Sequence, residues 1–194
     1  KPRVLLFDEP LSNLDAKLRK RMRGEIRNLQ KDLGITSVYV THDQMEAYIF
    51  ADLLTIMDLG PIQQVGKYEE IYNKPNSIFV AKFLNINTFA PPINIIHGKD
   101  IPFAPDDVLV GVRPEDIEIQ EESGRKGVSC IVKEMEINTL QRASYIKGMI
   151  NGTQVCIKSS RMDPLSPGNN LTLSFRKYHT FNKITKKRIQ SFPR

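Results

Sequence analysis

The chain opens on a continuous apolar run, Val4-Leu5-Leu6-Phe7, that stops at Asp8-Glu9-Pro10. A run without polar alternation predicts a strand buried on both faces of a parallel sheet. Proline cannot extend a hydrogen-bonded ladder, so the two carboxylates fall at the strand's C-terminal edge. That edge is where open α/β sheets bind ligands. Leu14, Leu18, Met22, Ile26, Leu29 and Leu33 then recur at three- and four-residue intervals and mark one stripe of a helix. Ser12, Asn13 and Asp15 all suit its start, and Gly34 suits its end. Ser37-Val38-Tyr39-Val40-Thr41 reads as a second strand, closing in the polar group Thr41-His42-Asp43-Gln44. A helix is expected over roughly 44–51, and segments 53–57 and 62–65 predict a hairpin around Gly60-Pro61. Strand alternating with helix is the pattern of a doubly wound, mostly parallel sheet.

The texture changes near Pro91. Pro91, Pro92, Pro102 and Pro105 mark a linker or an irregular crossing. Beyond them helical periodicity gives way to short strand patterns over 108–112, 128–137, 143–150, 155–158 and 171–175. In the last, Leu171, Leu173 and Phe175 point one way and Thr172 and Ser174 the other. Turns at Ser123-Gly124, Asn151-Gly152 and Pro167-Gly168 separate them, which suggests a small all-β barrel. The expected organisation is an α/β domain over 1–89, a linker over 90–107 and a barrel over 108–194.

Composition narrows the function classes. No stretch of about 18 uncharged apolar residues occurs, so no membrane-spanning helix is expected. No signal peptide precedes the first apolar run, and a cytoplasmic location is the expectation. Cys130 and Cys156 sit in strand-like segments without metal-ligand spacing and read as ordinary half-buried thiols. Three histidines without a paired cluster argue against a zinc site. The net charge of +6 is concentrated in Lys17, Arg19, Lys20, Arg21, Arg23 and Arg27 and in Lys183, Lys186, Lys187 and Arg188. Both clusters read as solvated surface. Aromatics are not interleaved with the first cluster as a nucleic-acid stacking platform would require, so no nucleic-acid partner is expected.

The chemistry resides at the two strand ends. Hydrolysis of a nucleoside triphosphate needs a metal to neutralise phosphate charge, a group to position water, and donors for the transition state. Asp8 at the strand tip would hold a hydrated magnesium, which uses only one or two carboxylates. Glu9, one residue on, would polarise the water. His42, at the neighbouring strand end, would donate to the γ-phosphate or hold Glu9 and the water in line.

These residues carry a resemblance. Leu5-Leu6-Phe7-Asp8-Glu9-Pro10-Leu11-Ser12-Asn13-Leu14-Asp15 closely resembles the Walker B and D-loop segment of ABC ATPases, and Thr41-His42-Asp43-Gln44-Met45-Glu46-Ala47 resembles their switch-histidine segment. The likeness continues through Gly60-Pro61-Ile62-Gln63-Gln64-Val65-Gly66, Glu70-Ile71-Tyr72, Pro75 and Phe79-Val80-Ala81-Lys82-Phe83. Gly111-Val112-Arg113-Pro114-Glu115-Asp116 resembles the entry to the regulatory domain of importer ATPases, an OB-like barrel of the TOBE type. His179, Phe181, Asn182, Thr185, Arg188 and Ile189 are spaced like its closing segment. Ala90-Pro91-Pro92-Ile93-Asn94 resembles the linker of the subgroup energising sugar and glycerol-phosphate import.

The resemblance implies Asp8 as the magnesium aspartate, Glu9 as general base and His42 as the switch histidine. Ser12 and Asp15 would lie in the D-loop at a homodimer seam. It also implies ATP and Mg2+ as cofactors, permease subunits as partners, and a place on the inner face of the cell membrane. Three features depart from the family pattern. Asn85 stands where glycine is common, 85–89 reads as an insertion, and Asn138-Thr139 replaces a more usual Leu-Gly turn.

No GxxxxGK[ST] loop, Gln loop or serine-glycine-rich signature occurs in the 194 residues. The sequence thus reads as the C-terminal part of an ATP-hydrolysing importer subunit, expected to be inactive alone and to self-associate through an exposed strand edge. The alternative is a stand-alone regulatory barrel, binding a protein or a small ligand, with a remnant ATPase half.

Overall fold

The computed structural model describes residues 2–89, 95–96, 99–100, 108–120 and 127–192. Its packing divides the chain into two compact units, Lys1–Asn73 and Lys74–Arg194. The first is mixed α/β and the second is β-rich. The linker motif 90–94 and the Ser123-Gly124 turn lie outside the described residues.

In the first unit β1 (Val4–Asp8) leads through a tight turn into α1 (Ala16–Leu33), then β2 (Thr36–Val40), α2 (Gln44–Phe50), the hairpin β3 (Leu54–Met57) and β4 (Ile62–Gly66), and α3 (Tyr68–Asn73). Of the three cap candidates Asp15 starts α1, its carboxylate accepting from Lys17 N and Leu18 N, while Gly34 ends it at φ 58°. A side chain with a Cβ is strained there, and glycine is not. β1 and β2 run parallel in register from Val4 opposite Thr36 to Asp8 opposite Val40. Among the described residues this is the extent of parallel pairing. β3 and β4 form a separate antiparallel hairpin whose turn uses positive φ at Leu59 and Gly60.

Burial of β1 on both faces is not found. Leu5 and Phe7 are half-buried, and Phe7 meets Tyr39 in a tilted ring contact, while Tyr39 in turn meets Phe50 of α2 at 4.6 Å between ring centroids. On the opposite face Val4, Leu6, Val38 and Val40 stay exposed, Leu6 at 77%. The reason is physical: helices cover one side of this two-stranded sheet, and no described element covers the other. The α1 stripe behaves similarly, with Met22 and Ile26 half-buried but Leu18, Leu29 and Leu33 exposed.

The second unit starts with α4 (Ile78–Phe83), β5 (Asn87–Phe89) and the short pair β6 (Ile95–Ile96) and β7 (Lys99–Asp100). β8 (Val108–Val112) and β9 (Ile117–Gln120) follow, then β10 (Val128–Asn138), β11 (Ala143–Ile150), β12 (Thr153–Ser159), β13 (Asn170–Phe175), β14 (Tyr178–Asn182) and β15 (Arg188–Phe192). α4 and β5 therefore belong to the second unit, ahead of the boundary expected at residue 89. Two antiparallel sheets result, ordered β12-β11-β10-β13-β9 and β15-β14-β8-β5. Their common core holds Val110, Val112, Val132, Ile146, Leu173 and Phe175, all fully buried. The ladders do not join into one closed ring among the described residues. A side chain bridges the sheets instead: the Asn87 amide donates to Cys156 O at 2.6 Å and accepts from Cys156 N at 3.1 Å.

The family departures acquire reasons here. Asn85 adopts φ 57°, the left-handed region that glycine enters freely and asparagine tolerates. The segment expected as an insertion supplies β5. Asn138 accepts from Gln141 N at 3.0 Å, so its side chain organises the β10–β11 turn that Leu-Gly would otherwise form. Cys130 is buried and Cys156 half-buried, both as free thiols.

Candidate functional site

The parallel register of β1 and β2 puts two segments side by side as they leave the sheet. Glu9 N donates to Val40 O at 2.9 Å, extending the pairing one step beyond Asp8. Glu9 then turns at φ 43°, a left-handed conformation uncommon for a glutamate. Ser12 holds that turn twice, its N–H and its hydroxyl both donating to Glu9 O at 3.2 and 2.9 Å. A strained backbone of this kind costs about 1–3 kcal/mol and persists where surrounding structure imposes it.

The turn aims Glu9 across the strand ends. Glu9 Oε1 lies 2.9 Å from His42 Nδ1. With Nδ1–H as the donor, Nε2 is the nitrogen left for a ligand. The imidazole pKa is raised above the ordinary histidine value, first by the hydrogen bond to Glu9 and then by its charge. The protonated ring, with Nε2–H as a second donor, is favoured accordingly. Both side chains are open, His42 at 74% and Glu9 at 44% exposure.

Glu9 and His42 share a shallow depression with Ser12, Arg19, Thr41, Asp43 and Glu46. Of the residues singled out in the sequence, Glu9, His42 and Ser12 are thus brought together. Asp8 is exposed on the same strand face as Val4 and Leu6 and does not line the depression. Asp15 is occupied in capping α1, with 2.9 Å bonds from Lys17 N and Leu18 N.

Several participants escaped the sequence reading. Glu46 is buried and accepts from Thr41 Oγ1 at 2.7 Å and from the Tyr39 hydroxyl at 3.2 Å. Burial and the Glu46 charge push the Tyr39 phenol well above its usual range. Asp43 caps α2, accepting from Met45 N and Glu46 N, and Arg23 reaches it at 2.5 Å. Arg19 donates to Leu14 O at 2.9 Å. The Asp43-x-x-Glu46 spacing signals a helix start. Nothing local signals an arginine partner twenty residues away.

Asp8 offers one exposed carboxylate, and among the described residues no three His, Cys, Asp or Glu side chains gather as a metal site. A single exposed carboxylate suits an ion that retains most of its own water, as magnesium does.

No protein-family model matches the chain. It is 40% identical over 180 residues to the sn-glycerol-3-phosphate import ATP-binding protein UgpC of Rhodopseudomonas palustris (strain BisB18), covering 86% of this chain and 48% of that protein. The protein of that name from Brucella abortus (strain 2308) is 44% identical over 161 residues, covering 77% and 45%. The UgpC 3 protein of Agrobacterium fabrum (strain C58 / ATCC 33970) is 38% identical over 201 residues, covering 96% and 57%. The chain spans about half the length of the curated relatives it matches.

Proposed function

We propose that the chain, similar over most of its own length to about half of several import ATP-binding proteins, forms the Walker B, D-loop, switch-histidine and regulatory portion of the ATP-binding subunit of an ABC importer. The 2.9 Å contact between Glu9 and His42 carries the reading. ATP with its magnesium would supply the transferable phosphoryl group and the charge that neutralises the β/γ-phosphates. Asp8 would accept hydrogen bonds from the water shell of the ion. Glu9 would orient the attacking water and take its proton. His42, anchored through Nδ1 on Glu9, would direct Nε2–H at a phosphate oxygen. Ser12 would hold the Glu9 turn and, with Asp15, border a second copy of the domain.

In this reading the nucleotide-binding domain runs to about residue 89 in sequence, although α4 and β5 pack with the second unit; 90–107 link it onward, and 108–194 form the regulatory OB-like domain of the TOBE type. The fully buried core of the second unit supports an independent module there. The partners would be permease subunits and the place the cytoplasmic face of a membrane; the solute would be a carbohydrate or a glycerol phosphate, the latter being what the relatives' names specify. No helix among the described residues is long and apolar enough to cross a membrane.

The phosphate loop is not in these 194 residues, so the chain alone is expected to release no phosphate from ATP. Joining it in frame to the part of the Rhodopseudomonas protein that it does not match should restore magnesium-dependent release. Glu9→Gln and His42→Ala should each lower that rate by at least about a hundredfold, the scale for removing a general base or an oriented donor. A chimera that folds and binds ATP but hydrolyses it equally well with Glu9→Gln would refute the assignment.

A further inference from the structure

The His42 side chain meets Glu9, and both of its chain neighbours are tied to a single cluster of charge. On one side Thr41 Oγ1 donates to Glu46 Oε2 at 2.7 Å and accepts from Asp43 N at 3.0 Å. On the other, Asp43 caps α2 through Oδ1 and meets Arg23 Nη2 through Oδ2 at 2.5 Å. The same Nη2 stands 3.7 Å from Glu46 Oε1. Tyr39, from β2, closes the cluster on Glu46. The side chains of Arg23 and Glu46 are 15% and 4% exposed, which places this ion pair in a setting where charge interactions are little screened. Arg23 lies on α1, the helix that directly follows the Glu9–Ser12 turn. It therefore spans from the segment anchored behind Glu9 to the segment that carries His42.

We propose that Arg23 is a positioning residue, clamping Asp43 and Glu46 so that the His42 loop stays within hydrogen-bond reach of Glu9. The inference rests on reading Glu9 and His42 as the working pair and adds what holds them together. An exposed imidazole on an untethered loop samples many orientations, and each tether removed enlarges that set. One guanidinium nitrogen, Nη2, faces both carboxylates, and the rigid plane of the group holds that nitrogen in place better than a flexible ammonium would.

The sign of an electrostatic effect separates positioning from mere proximity of charge. Charged groups around His42 are Glu9 from the end of β1, Asp43 and Glu46 from α2, and Arg19 and Arg23 from α1. Removing a nearby cation acts through space to raise a histidine pKa, whereas losing the contact with Glu9 lowers it. The test is an NMR titration of His42 in the intact 194-residue chain, assigned with His42→Gln, for wild type, Arg23→Met, Arg23→Lys and Glu9→Ala. The expected result is a fall in Arg23→Met towards the Glu9→Ala value, with Arg23→Lys between wild type and Arg23→Met. An unchanged or raised value in Arg23→Met, with Glu9→Ala lowered, overturns the positioning role and leaves the pair standing. No change in Glu9→Ala overturns the pair itself. Should Arg23→Met lose its circular dichroism, Arg23→Gln, which is uncharged and too short to hold both carboxylates, is read by the same criterion.

Discussion

Two residues near the start of the chain adopt roles that their neighbours could have filled. Ser12, Asn13 and Asp15 are equally good caps by composition, and local chemistry alone does not rank them. The structure assigns the cap to Asp15 because the Glu9 turn commits the Ser12 hydroxyl to Glu9 O. This separates two meanings of Asp15, a helix cap and a charged residue at a dimer seam. Asp15→Ala should weaken the start of α1 by about 1 kcal/mol, while Asp15→Asn keeps the acceptor and should cost a few tenths. Hydrogen exchange of the Lys17 and Leu18 amides reads this directly, about fivefold faster in the alanine variant and near wild type in the asparagine variant. Fast exchange in both would mean that the charge, and not the acceptor, secures the helix. The positive φ of Glu9 lies beyond sequence reading altogether, since the residue type argues against it.

At the level of elements, periodicity was a good guide wherever one face of a segment is buried. Leu171, Leu173 and Phe175 lie inward on β13 as their spacing predicts, and the Asn151-Gly152 turn between β11 and β12 takes positive φ at both residues, as a two-residue hairpin requires. The pattern did not convey partnership. Gly148 on β11 is needed because Cys130 Sγ on β10 would stand 2.3 Å from an added Cβ, and Asn87 stitches two sheets through its amide. The first contact joins two consecutive paired strands, and the second joins strands of different sheets 69 residues apart.

His179 on β14 is a further case, a histidine that alternation alone would bury. It is 8% exposed, and burial, helped by Arg113 and Arg188, lowers its pKa from 6.5 to about 4. The native state therefore keeps the ring neutral while the unfolded chain protonates it. Stability from this source is complete above pH 6.5 and is lost as the pH falls towards 4. By pH 5 the loss should be about 2 kcal/mol. Comparing urea midpoints at pH 7.5 and 5 for wild type and His179→Gln isolates the effect from other titrating groups. Equal pH dependence in the two proteins would show that His179 does not govern it.

For the molecule as a whole, the two units differ in how fully they bury their apolar residues. The second encloses a core of a dozen buried side chains between its sheets. The first leaves Val4, Leu6, Val38 and Val40 together on an open sheet face, and its two strands have no further described partner on either edge. The expectation of a strand covered on both faces thus failed for want of a covering layer, not through a wrong pattern. An uncovered apolar face flanked by unpaired backbone N–H and C=O groups favours association with whatever can cover it. In a solution of this chain alone that is another copy. The sedimentation coefficient should rise with concentration across the micromolar range, and Leu6→Lys with Val38→Lys should abolish the rise, because charge on that face must be desolvated to pair. The half of the relatives' sequence that this chain does not match should suppress association equally when joined to it, since one layer cannot be covered twice. A wild-type chain that sediments as a monomer at every concentration would show that the exposed face is tolerated in water and exerts no such drive.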